Sequence, residues 1–214
     1  IEKVGIKMGL ESKRMGIHFN FAPVLDINTN PRNLIIGFRS FGENKEIVTD
    51  DAIALMKGVQ SQGVFSTGKH FPGHGDTETD SHLSLPVVSF SKERLENVEF
   101  YPYKKMFHEG LSSVMVGHLN VPSLESKPNY PSSISYTVVT NILQKELGFN
   151  GLIFTDALNM KGVINSNLPS EINFEAFMAG NDILLFPENV PEAIEKLKLG
   201  YSANLISEER LAFS

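Results

Sequence analysis

The residues best suited to chemistry crowd into one stretch. Lys69-His70-Phe71-Pro72-Gly73-His74-Gly75-Asp76-Thr77-Glu78-Thr79-Asp80-Ser81-His82 holds three of the six histidines, with Asp76, Glu78 and Asp80 among them. Two chemistries fit these residue types. His, Asp and Glu are ligands for zinc and related ions, although the spacing matches neither a zinc helix signature nor a calcium loop. The alternative is acid–base work. Asp80 and His82 are two apart, so in an extended segment their side chains share a side. A carboxylate bonded to one imidazole nitrogen fixes the tautomer and raises the ring's basicity. The other nitrogen can then give or take a proton near neutral pH. Glu78 reads as a solvated loop residue.

Elements must hold these groups in place. Five short apolar runs, at 17–25, 63–68, 113–117, 151–155 and 182–186, read as buried strands of a parallel sheet. Helical spacing fills most gaps, over 46–61, 92–109 (with Ser91 as cap), 137–147 (stopping at Gly148) and 190–199. The alternation is βαβα, so the class is α/β. The first four runs end in Asp26, Lys69-His70, His118 and Asp156. Parallel α/β folds carry their sites at that rim, so four ionisable ends together favour function over isolated turn residues. The polar stretches at 26–45, 69–90 and 119–136 follow strand ends and are long enough to be functional loops. Gly73 and Gly75 allow unusual backbone angles around His74 and Asp76. Asp182 opens a run, the stability end of a barrel, and reads as structural. His18 and His108 read as packing or surface residues.

Composition narrows the classes. The chain has 214 residues, 41% hydrophobic and 21% charged, a net charge of −6 and no cysteine. The acidic balance argues against nucleic acid or an anionic membrane surface as partner. Disulfides, cysteine–metal sites and thiol nucleophiles are excluded. No apolar run approaches the roughly 18 residues of a membrane span.

The string Lys69-His-Phe-Pro-Gly-His-Gly-Asp-Thr-x-x-Asp-Ser-His82 resembles the signature of glycoside hydrolase family 3 β-N-acetylglucosaminidases. Further matches run in family order: Phe21-Ala-Pro-Val-Leu-Asp26, Arg39-Ser-Phe-Gly42, Val114-Met-Val-Gly-His118, Phe154-Thr-Asp-Ala-Leu158 and Ala179-Gly-Asn-Asp182. The resemblance covers essentially the whole chain. It implies a (β/α)8 barrel of the TIM type and a retaining exo-glycosidase without cofactor. It implies Asp156 as the nucleophile and His82 as acid/base held by Asp80, in place of the usual second carboxylate. Arg39, Lys69 and His70 match positions that hold sugar hydroxyls. The implied substrate is a non-reducing terminal β-linked N-acetylglucosamine, typically from cell-wall muropeptides.

About five of the eight βα units are visible. Residues 1–214 are therefore expected to be a partial catalytic barrel whose first strands precede Ile1, and open sheet edges would offer a route to self-association. Three other readings stand beside the hydrolase. One is a phosphorylase on the same site, since a neutral imidazole base does not repel phosphate. Another is a non-catalytic sugar-binding fragment. The third is a metal hydrolase built on His70, His74 and His82. The sequence leaves the compartment, cytoplasmic or exported, open.

Overall fold

In the computed structural model, which describes residues 1–77, 85–164 and 169–213, parallel strands wind in sequence order. They are β1 (Phe19–Asn20), β2 (Phe65–Phe71), β3 (Ser113–Val116) and β4 (Leu152–Thr155). Each pairs with its predecessor, and helices make the crossovers, as in the wall of a (β/α) barrel. The fifth run joins by one parallel bridge, Phe154 to Ile183. Thr155 N–H donates to the Ile183 carbonyl at 3.0 Å and Ile183 N–H to that of Ile153 at 3.1 Å. The expected α/β class and partial barrel are both present.

The first run is less regular than expected. Pro23 has no N–H to give the ladder, yet carbonyls keep the strand in place. Ala22 accepts from Thr67 N–H at 3.0 Å and Pro23 from Lys69 N–H at 3.2 Å. Strand β2 runs past its expected end, so Lys69 and His70 lie within it and not after it. A register shift between Lys69 and Phe71 accompanies them.

Alternation along the strands separates two faces. Lys69, Met115 and Phe154 are in register across β2, β3 and β4. Below them Phe19 packs on Phe65 and Phe154, at ring-centre distances of 5.0 and 5.2 Å. The other face supplies Phe71, Val114, Val116 and Ile153 to a core shared with the helices. Burying each such side chain contributes about 1.5–3 kcal/mol.

Helix α1 (Glu2–Arg14) was not expected from the apolar spacing. Its buried positions are Gly5, Gly9 and Ser12, and it lies on α2 (Lys45–Gln60) backbone to backbone. A Cβ on Gly58 would stand 2.3 Å from the Glu2 carbonyl oxygen, and one on Gly5 2.3 Å from that of Leu55. Asn44 caps α2 by accepting from Ile47 N–H at 2.9 Å. The single helix expected over 92–109 is two, α3 (Lys92–Asn97) and α4 (Phe100–His108). Pro102 explains the break, because its ring excludes a helical carbonyl at Val98 and it has no N–H to donate there. Ser91 caps α3 as expected, accepting from Arg94 N–H at 3.2 Å. A π-helix over Thr137–Glu146 stops at Gly148, whose φ is +72°. Helices α5 (Lys161–Ile164), α6 (Pro169–Ala179), α7 (Val190–Ser202) and α8 (Glu208–Phe213) complete the chain. Of these only α7 was expected. Among the described residues no helix is long and apolar enough to cross a membrane.

Candidate active site

The strand ends do converge. The fully buried Asp26 carboxylate accepts from His74 N–H at 2.7 Å and from His70 N–H at 3.2 and 3.3 Å. The His70 ring nitrogen Nδ1 stands 2.7 Å from its Oδ2. An ionised carboxylate only accepts, so Nδ1 carries a proton and Nε2 is the ring's other functional end. Burial pushes the Asp26 carboxyl up. The charge and ring hydrogen bond of His70, with the charge and amide of His74, outweigh that and hold it below the ordinary carboxylate value. Asp26 thus orients His70.

The segment 72–77 is fastened to the loop after Asp26. Asn33 donates to the His74 carbonyl at 2.7 Å, Asn30 to that of Asp76 at 3.0 Å, and Thr29 to the Asp76 carboxylate at 3.1 Å. The unusual backbone angle expected at both glycines is present at Gly73 and absent at Gly75. Gly73 has φ +130°. At Gly75 the reason is closeness, since a Cβ there would stand 1.9 Å from the Ile27 carbonyl oxygen. Burial, partly opposed by Asp26, lowers the His74 imidazole below its ordinary pKa.

Asp156 follows β4 directly. Its amide donates to the Val116 carbonyl at 2.9 Å, and its Oδ1 accepts from Ala157 N–H at 2.8 Å. Burial pushes its carboxyl up. His70, His118, the Ala157 amide and Lys69 outweigh that, so it stays ionised to below the ordinary value. Lys69 is lowered by burial and by the Arg39 charge, against the pull of Asp156 and Asp26.

A cavity of about 240 Å³ lies over this floor. Phe21, Met115 and Leu185 line it beside Lys69, His70, His74 and Asp156, and Ile35, Arg39, Ala157 and Phe186 complete it. It is smaller than the roughly 300–1,000 Å³ of pockets for drug-sized ligands, a size that suits a single sugar ring. Asp156 is its one carboxylate among the described residues. Arg39 stands at the rim, donating to the Ile35 carbonyl at 3.1 Å. The site thus brings together Asp156, Lys69, His70 and Arg39. Asp80 and His82 lie outside the described residues, as does Glu78. Asp182 is structural as expected, accepting from Ile153 N–H at 2.9 Å, and His18 and His108 are exposed surface residues. Phe21 and Met115 escaped the sequence reading, although period-two alternation from Phe19 and from Ser113 places them inward. Among the described residues no group of three or more His, Asp or Glu is arranged to hold a metal ion.

The N-terminal domain profile of glycosyl hydrolase family 3 matches residues 1–213. The chain belongs to glycoside hydrolase family 3. As a family 3 domain it is 38% identical over 201 residues to a beta-hexosaminidase of Neisseria gonorrhoeae (strain NCCP11945), covering 94% of this chain and 54% of that protein. A family 3 beta-N-acetylglucosaminidase from Paenibacillus sp. str. FPU-7 superposes with a TM-score of 0.94 at 37% identity, over 99% of this chain and 41% of its own. A beta-glucoside phosphorylase superposes with a TM-score of 0.93 at 31% identity, over 98% of this chain and 39% of its own. The family 3 domain therefore spans about half the length of the curated relative, and less of the two solved chains.

Proposed function

We propose that this chain carries the catalytic site of a retaining exo-β-N-acetylglucosaminidase. One observation carries the reading: an ionised, half-buried Asp156 forms part of the floor of a cavity sized for one sugar, with Lys69, His70 and Arg39 around it. In the first step an Asp156 carboxylate oxygen attacks the anomeric carbon. The glycosidic bond breaks as the leaving oxygen takes a proton from the His82 imidazolium, leaving a glycosyl–Asp156 ester. In the second step His82 takes a proton from water as the water oxygen attacks the same carbon, and the Asp156 carboxylate departs. Asp80 holds the His82 ring. Lys69 and Arg39 supply fixed donors to sugar hydroxyls, and His70 presents Nε2 because Asp26 holds Nδ1. The proposed substrates are cell-wall fragments bearing a terminal N-acetylglucosamine.

The test is hydrolysis of an aryl β-N-acetylglucosaminide by the protein that contains this chain, beside its Asp156→Ala variant. The parent should accumulate a glycosyl-enzyme detectable by mass spectrometry, and the variant none. A covalent sugar on the variant would overturn the assignment. The likeness to a phosphorylase supports a second reading, with phosphate in place of water in the second step. Glycosyl phosphate as the main product when phosphate is added would favour it.

A further inference from the structure

We infer that His118 is a positioning residue for Asp156 and acts through the carbonyl of Ala157. The inference rests on the nucleophile role given to Asp156 above. His118 follows β3 by two residues and is fully buried. Its Nε2 is 2.9 Å from the Ala157 carbonyl oxygen, and its Nδ1 is 2.6 Å from Ser133 Oγ. A carbonyl can only accept, so Nε2 carries the proton, and in the neutral ring Nδ1 accepts the Ser133 hydroxyl.

The backbone that carries that hydroxyl is itself fixed. Ser133 sits in a short 3₁₀ turn, Ser132–Ile134, and its carbonyl accepts from Asn181 Nδ2 at 2.8 Å. The same amide reaches the Ala176 carbonyl in α6 at 2.7 Å. Asn181, Ser133 and His118 are all fully buried. A chain of hydrogen bonds thus runs from the end of α6 to the backbone just after Asp156.

Ala157 is held at both its polar groups. His118 fixes its carbonyl, and its N–H is the donor that ties Asp156 Oδ1 at 2.8 Å. The next residue is pinned too, with Leu158 N–H on the Leu185 carbonyl at 2.8 Å. Tying one carboxylate oxygen aims the other, Oδ2, at the sugar. Without the imidazole the Ala157 carbonyl loses its buried donor, residue 157 can rotate, and the carboxylate swings with it. Reactivity is steep in such displacements, about 10²-fold for a misplacement near 1 Å.

The side chains of Gln and Asn separate this role from general packing. Gln places an amide N–H near the position of Nε2, whereas Asn places one near Nδ1. The experiment measures kcat and KM on an aryl β-N-acetylglucosaminide for His118→Ala, His118→Gln and His118→Asn, with the rate of the first aglycone burst. The expected result is a fall in kcat and burst rate of about 10²-fold for Ala and Asn, at a KM within about threefold. Gln should recover at least about tenfold of the loss. A folded Ala variant with an unchanged burst rate, or Gln no better than Asn, would overturn the inference. Should none of the three variants fold, Ser133→Ala, which frees the ring from its second partner, should still lower the burst rate at constant KM. An unchanged rate there would also overturn it. A parent protein with no glycosidase activity would instead refute the nucleophile reading, and the inference would fall with it.

Discussion

Replacing Asp26 with Asn tests the centre of the site. The change keeps the shape and removes the charge. Asp26 takes three N–H groups, two of them at 2.7 Å. Hydrogen bonds to a charged partner contribute about 1.5–3 kcal/mol each and neutral ones about 0.5–1.5, so losing the charge costs about 3 kcal/mol over the three. At about 2–4 °C per kcal/mol for a chain of this size, Tm should fall by roughly 6–12 °C. The chemistry should suffer as well. The Asn amide faces the His70 Nδ1 proton donor to donor, and the ring relieves this by moving its proton to Nε2. The sugar then meets a donor where it met the other tautomer. One lost neutral hydrogen bond of about 0.5–1.5 kcal/mol lowers kcat/KM by about 2- to 13-fold. The sign with pH follows from the depressed folded pKa of Asp26. Its contribution is complete above the ordinary carboxylate range and is lost as pH falls through the lower folded value. The stability gap between parent and variant should therefore be full near about pH 7 and close below about pH 4. Thermal unfolding and steady-state kinetics across that range measure both effects. A variant melting within about 1 °C of the parent, or keeping kcat/KM within about twofold, would refute the reasoning.

Other outcomes follow from the same geometry. Asp156→Ala should lose at least about 10³-fold in kcat, and added azide should restore some aglycone release with inverted product; hydrolysis at the parental rate would exclude its role. His82→Ala should slow release of the sugar more than release of a good leaving group, and azide should relieve the slow step; rates indifferent to azide would count against a base at His82. The acid limb of kcat/KM in that variant should report Asp156 alone and lie below about pH 4, because Asp156 is held low. A limb remaining near about pH 6 would show another group at work. Gly58→Ala should destabilise the fold, since a Cβ 2.3 Å from the Glu2 carbonyl outweighs the helix propensity gain of about 1 kcal/mol. A higher melting temperature would mean that α1 shifts away at little cost.

The sequence displayed the rim well because strands that end in ionisable residues leave a local mark. Asp26, Lys69-His70, His118 and Asp156 could all be named. What those residues do to one another could not be seen. Asp26 meets His70 across 44 positions, and His118 meets Ala157 across 39, distances at which no spacing rule operates. Helix α2 was legible because its apolar side chains face the core, Ala52, Met56 and Val59 among them, and α7 by apolar spacing alone, since Val190 and Ile194 are exposed. Helix α1 was hidden because glycine and serine form its contact, and contacts of that kind have no apolar period to read. Helix α4 was merged with α3 because the spacing of apolar residues runs straight through Pro102, while the backbone does not.

The backbone under the site is also part of the sheet's own ladder. Asp156 N–H is a rung to Val116, Gly117 N–H a rung to Phe71, and Thr155 N–H a rung to Ile183. These amides can exchange their hydrogens with solvent only when neighbouring strands part, so they belong among the slowest in the molecule. The floor of the site and the most persistent part of the fold are then one cooperative unit. Partial opening of the chain can loosen the rim without dismantling the floor, and the backbone beneath the carboxylate stays in place until the sheet itself unfolds.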